Sequence, residues 1–225
     1  MSRRVLLLAS VLASACTLQH SSRSTASVTD DHMSHMSAVD MMAPLASRSP
    51  GASSQQGTAG LPASNMTAAA RLAASPRHGE WVKIAWEPGS ADSLMAWIVY
   101  PSSSGKAPVV VVVHEIFGLS TWVRGVADQV AADGFIAIAP DFLSRVRGGP
   151  STEELASDTA RKLIGGVNAA ERNRAIIAVA NYAMMQPAAT QKYAVIGYCW
   201  GGQTTFFHAI NGGVKGFSGG VAFYG

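Results

Sequence analysis

One ten-residue stretch narrows the folds open to this chain more than any other. In Tyr193-Ala-Val-Ile-Gly-Tyr-Cys-Trp-Gly-Gly202 an apolar run, Ala194 to Ile196, leads into Gly197-Tyr198-Cys199-Trp200-Gly201. A helix-forming segment, Gln203 to Ile210, follows at once. A strand that turns directly into a helix leaves no room for side chains two positions before and after the apex, so glycine is needed at both. The apex residue must itself accept a strained backbone. That turn would leave the Cys199 thiol at a helix N-terminus, where the macrodipole favours negative charge. G-x-Nu-x-G is the layout of a nucleophile elbow.

Charge and cysteine content narrow the context. The net charge is +3, but residues 1–79 hold six Arg and three Asp, whereas 80–225 hold eleven basic and eleven acidic residues. The basic character belongs to the N-terminal part, and nothing in 80–225 suggests nucleic-acid binding. Residues 1–16 read as a targeting signal, with Arg3-Arg4, an apolar core from Val5 to Leu12, and a small-residue cleavage site at Ala13-Ser14-Ala15. Ala13-Ser14-Ala15-Cys16 resembles a bacterial lipobox, with Ala13 where leucine is usual, so Cys16 is a candidate lipid anchor and the only expected link to a membrane. The expected location is therefore outside the cytoplasm, periplasmic or lipid-anchored. Cys16 and Cys199 are the only cysteines. With Cys16 in the leader, Cys199 has no partner within the domain and is a candidate reactive thiol.

Residues 17–79 are rich in Ser, Ala, Thr, Gly and Pro and contain no aromatic residue, which is the composition of a disordered linker. Within it, Asp30 to Met36 and Met41-Met42 offer imidazole and thioether groups that suit copper or silver. A polar tether that happens to contain His and Met explains the tract equally simply. The domain is expected over 80–225. Glu80 to Trp86 and Leu94 to Tyr100, separated by a Pro-Gly turn, predict an antiparallel strand pair. Val109 to Val113 is apolar without alternation, which predicts a strand buried on both faces in the middle of a parallel sheet. A helix over Thr121–Asp133, a strand over Phe135–Ala139, a helix opening at Ser151, and a second helix capped by Asn168 with Glu171 three residues on complete the middle of the chain. After the elbow, a helix to Ile210 and a strand over Val221–Tyr224 follow. Strand–helix alternation behind a hairpin predicts an α/β fold with a mostly parallel sheet and helices on both faces, its site at the strand ends.

Three blocks in this order resemble the dienelactone hydrolases of the α/β-hydrolase fold: Val113-His-Glu-Ile-Phe-Gly-Leu119, Ala139-Pro-Asp-Phe-Leu143 and Gly197-Tyr-Cys-Trp-Gly-Gly202. The resemblance implies that Cys199 attacks an ester or lactone carbonyl, forming an acyl-enzyme that water hydrolyses, with no cofactor and no metal in the reaction. It implies an oxyanion site built from the backbone N–H groups of Ile116 and Trp200, each worth about 3 kcal/mol in the transition state. It also implies that Glu115 partners the resting thiol, since a carboxylate beside a thiol favours the protonated form. Adjacent residues at a strand end point opposite ways, so His114 is expected to be structural. Family members hold a substrate carboxylate with arginine, and Arg145 and Arg161 lie in the corresponding region.

The chain departs from the family pattern after the nucleophile. There the triad acid and histidine come later in sequence, but beyond Cys199 this chain holds only His208 and no Asp or Glu. His208 falls about 13 Å along the helix axis, at 1.5 Å per residue, and reads as a surface or packing residue. The expectation is a hydrolase domain incomplete at its C-terminus, with an uncovered sheet edge and a thiol without its base. Two other readings remain open at this point: a metal-binding lipoprotein whose His/Met tract does the work, and a catalytically silent binding module on the same fold.

Overall fold

The computed structural model describes residues 60–151, 155–211 and 213–225. The leader with Cys16, the His/Met tract and most of the expected linker lie outside the described residues. In chain order the elements are α1 (Ala68–Ala73), β1 (Gly79–Ala85), β2 (Ser93–Val99), β3 (Ala107–Val113), α2 (Thr121–Ala132), β4 (Ile136–Asp141), α3 (Ser144–Arg147), α4 (Ser157–Gly165), α5 (Ala169–Met184), β5 (Ala189–Tyr198), α6 (Trp200–Ile210) and β6 (Phe217–Phe223).

The strands form one sheet in the order β1-β2-β4-β3-β5-β6. The hairpin β1–β2 is antiparallel, β2 is antiparallel to β4, and β4, β3, β5 and β6 run parallel. The valine run explains why β3 sits inside. Val109, Val111 and Val113 pack with Ile164 of α4 and Ile176 and Val179 of α5. Val112 faces the other way, with Val123, Val126 and Ala127 of α2. A strand covered on both faces has no use for polar alternation. Register then sets the site: Val113 pairs with Gly197, and Tyr198 with Phe223, so the C-terminal ends of β3, β5 and β6 lie side by side.

Several boundaries differ from the sequence expectations, each for a local reason. The expected linker runs to residue 79, yet α1 lies within it. Ala63 and Ala68 are buried beside Gly125 of α2, and Arg77 holds Asp128 of α2 at 2.6 Å. Packing by small residues leaves no apolar period to detect. β4 continues through Pro140 and Asp141, pairing Pro140 with Ala96. The short helix α3 has no counterpart in the sequence expectations; of the helix expected to open at Ser151, residues 152–154 lie outside the described residues, and α4 covers Ser157–Gly165. β6 starts four residues before Val221, through Ser218-Gly219-Gly220, which carry little strand propensity. Among the described strands it pairs with β5 alone and lies at the edge of the sheet, with Val221 53% and Phe223 42% exposed.

Candidate active site

The strand-to-helix turn after β5 puts Cys199 at φ 52°, ψ −119°, a region that residues other than glycine rarely occupy. The neighbouring glycines hold it there. A methyl group on Gly197 would collide with the Gly201 backbone and come within 2.5 Å of Thr205 Oγ1. One on Gly201 would lie 2.5 Å from His114 O and nearer still to Val113 O, so α6 rests directly on the end of β3. The Cys199 N–H donates to Phe223 O at 2.9 Å, which ties the turn to β6. Cys199 is half-buried, and Trp200 is the first residue of α6, so its N–H has no acceptor within the helix.

The loop after β3 carries the second part of the site. His114 is fully buried and stacks on Trp200 at 5.8 Å, with Phe142 edge-on at 5.3 Å. Its ring nitrogens are both engaged. The Phe142 N–H donates to Nε2 at 3.3 Å, so Nδ1 must carry the hydrogen it shares with Glu115 O at 2.6 Å. Burial lowers the pKa of His114, and the charge of Asp141 and the bond to Glu115 O act the other way. This histidine is a neutral strut. Its grip on Glu115 O has a further effect. In a trans peptide C=O and N–H point in opposite directions, so the bond fixes the Ile116 N–H facing away from the ring. The Glu115 side chain turns back to accept the Phe117 N–H at 2.6 Å. Burial raises its pKa, opposed by that same bond.

Cys199 and Glu115 share a neighbour that sequence reasoning missed. Tyr224 has its pKa raised by desolvation first and then by the charges of Cys199 and Glu115. It follows β6 directly, and stacking of Tyr198 on Phe223 at 5.1 Å fixes that strand end beside the elbow. The signal was available: a residue just past the end of the strand beside β5, which leads to the candidate nucleophile, falls where sheets of this kind place their sites.

Comparison with known proteins settles the ancestry of this arrangement. Residues 94–225 match the model of the dienelactone hydrolase family. The chain belongs to that family. Two relatives named "Putative carboxymethylenebutenolidase" align with it. One, from Salmonella typhi, is 30% identical over 125 residues, covering 55% of this chain and 46% of the relative. The other, from a Synechocystis species, is 31% identical over 137 residues, covering 59% and 54%. A solved structure from Klebsiella pneumoniae, named "Putative Dienelactone Hydrolase", superposes with a TM-score of 0.54 at 27% identity, covering 66% of this chain and 60% of that one. The chain thus spans about half the length of the relatives it matches.

Within this dienelactone hydrolase domain the two arginines named from sequence part company. Arg145 is ion-paired to Asp92 and to Glu171 (3.3 Å), and its guanidinium lies 4.3 Å from the Trp86 ring centroid. That places it with α5 and the hairpin end, not with Cys199. Arg161 lies 5.4 Å from the ring of Phe117, on the loop that carries Glu115, with Asp158 3.9 Å away. His208, expected at the surface or in packing, is fully buried. Its Nε2 meets Tyr193 Oη at 2.9 Å and its Nδ1 meets Asn173 Oδ1 at 2.6 Å. Among the described residues no histidine turns a free ring nitrogen to Cys199.

Proposed function

We propose that this domain cleaves carboxylic ester or lactone bonds, with Cys199 as the nucleophile. The observation that carries the reading is the backbone of Cys199, which is held in an unfavourable conformation at the N-terminus of α6 by glycines that admit no side chain. Strain of this kind persists only where the surroundings enforce it, and it turns the thiol out of the strand end toward a reacting carbonyl. In the reaction the Sγ–C bond forms as the carbonyl oxygen takes up negative charge. The Trp200 N–H and the oriented Ile116 N–H are the donors for that oxyanion. The thiol proton passes to solvent, collapse breaks the ester C–O bond and expels the alkoxide, which water protonates, and a further water later hydrolyses the thioester.

Glu115 keeps its role as the partner of the resting thiol in this reading, and the Tyr224 phenol feels the charge of both. This reading assigns a substrate carboxylate to Arg161, over Phe117 and in only a long contact with Asp158, rather than to Arg145, which is held by Asp92 and Glu171. The described residues supply a nucleophile and oxyanion donors but no general base, so acylation is the half-reaction assigned to them. The leader extends the reading to location, with export and lipid attachment at Cys16.

The test is covalent. Incubating the chain with an activated ester and weighing the intact protein should show one acyl adduct, mapped by peptide analysis to Cys199 and lost in Cys199→Ala. Acylation elsewhere, or undiminished in Cys199→Ala, sinks the assignment.

A further inference from the structure

Arg172 lies in the first turn of α5 and reaches across to the first turn of α6. Its guanidinium carbon is 5.0 Å from the Trp200 ring centroid, and Nη1 donates to Gln203 Oε1 and Thr204 Oγ1, both at 3.2 Å. Thr204 Oγ1 in turn donates to Trp200 O at 2.8 Å. The same Trp200 ring stacks within 12° of parallel on His114 and meets Phe142 at 5.1 Å. A continuous path therefore runs from Arg172 through Trp200 to His114, and from His114 Nδ1 to the peptide group joining Glu115 to Ile116. Both proposed oxyanion donors lie on it.

The charge makes this path unusual. Arg77, Arg145, Arg161 and Arg174 each pair with a carboxylate, but among the described residues Arg172 pairs with none. Its Nε is buried without a hydrogen-bond partner, and burial lowers its pKa. A partly desolvated cation is disfavoured beside the positive end of a helix dipole. A shorter apolar residue would cover Trp200 with neither cost. What arginine adds is a planar, forked group that lies flat on indole while its N–H groups hold the adjoining turn.

We propose that Arg172 is a positioning residue for the oxyanion site: it fixes the Trp200 ring and the first turn of α6 against His114, and so sets the spacing of the Trp200 and Ile116 N–H groups. The role rests on the reading of Cys199 as an acyl-accepting nucleophile, and the experiment separates the two.

Two reactions of the Cys199 thiol, each followed by peptide mapping so that adducts at Cys16 are not counted, are compared on the 225-residue chain. With p-nitrophenyl acetate, the Sγ–C bond forms and the ester C–O bond breaks through an oxyanion, releasing p-nitrophenolate while the thiol proton passes to buffer. With iodoacetamide, sulfur displaces iodide at a tetrahedral carbon and no oxyanion arises. Losing one oxyanion donor outright costs roughly a hundredfold or more, so displacing a donor should cost about tenfold. Arg172→Met is expected to slow acylation by about tenfold and leave alkylation within about twofold. Arg172→Lys, which keeps the cation and loses the fork, is expected to fall between wild type and Arg172→Met in acylation alone. Should Arg172→Met fail to fold, the ratio of the two rates in Arg172→Lys decides. Unchanged acylation, or equal loss in both reactions, overturns the positioning role. A wild-type chain that is alkylated but never acylated removes the nucleophile reading and this role with it.

Discussion

A histidine with both ring nitrogens occupied in a buried site resists a proton, and His208 is such a residue. The Val214 N–H donates to Tyr193 Oη at 3.0 Å, so the phenol hydrogen is free to meet His208 Nε2, and Nδ1–H donates to Asn173. Burial moves the His208 pKa from 6.5 down to about 4. The unfolded chain therefore binds this proton at a higher pH than the folded one. The contribution to stability is full above pH 6.5, falls as pH drops, and is gone by about pH 4. The loss is on the order of 3 kcal/mol across that window. Denaturant unfolding at a series of pH values should show this slope, and His208→Gln, whatever its own stability, should flatten it. An equal slope in the variant would assign the pH dependence to other groups. Sequence reasoning placed His208 away from the thiol by helix rise alone, but its partners were out of reach. Asn173 and Tyr193 lie 35 and 15 residues away, and nothing local marks either.

At the scale of elements, legibility followed local chemistry. The start of α5 was readable because a capping box is written in four residues. The Glu171 N–H donates to Asn168 Oδ1 at 3.0 Å, and the Asn168 N–H returns to Glu171 Oε2 at 3.2 Å. Asn168→Ala should lower stability by about 1 kcal/mol in chemical denaturation. Glu171 also pairs with Arg145, so Glu171→Ala should cost more, and equal losses would mean the cap carries all of the effect. The valine strand and the elbow were legible for the same reason, each a short pattern with one physical meaning. α1 was not, since alanines packed on a glycine have the composition of a tether. Arg172 was equally silent. A lone arginine on an amphipathic helix reads as solvated surface until the helix that crosses it is known.

For the whole molecule, alternation of strands and helices fixed the class, but only pairing gave the order β1-β2-β4-β3-β5-β6. That order is what brings His114, Cys199 and Tyr224 to one end of the sheet, the first and last of them 110 residues apart. The N-terminal segment makes a prediction of its own. With lipid on Cys16, the chain expressed in a bacterium with two membranes should sediment with the membranes, and Cys16→Ser should release it to the soluble fraction. Unaltered sedimentation of Cys16→Ser would end the lipobox reading. The hydrogen bond from Cys199 to Phe223 carries a different consequence, one about time. The strained turn needs β3 beneath Gly201 and the carbonyl of Phe223 above Cys199, and the second of these is made 24 residues later than the thiol itself. During synthesis the cysteine therefore emerges as an ordinary side chain on a relaxed backbone. Its half-buried place in the strained turn comes with the docking of β6, so in the proposed reaction the nucleophile is formed after the sheet is built.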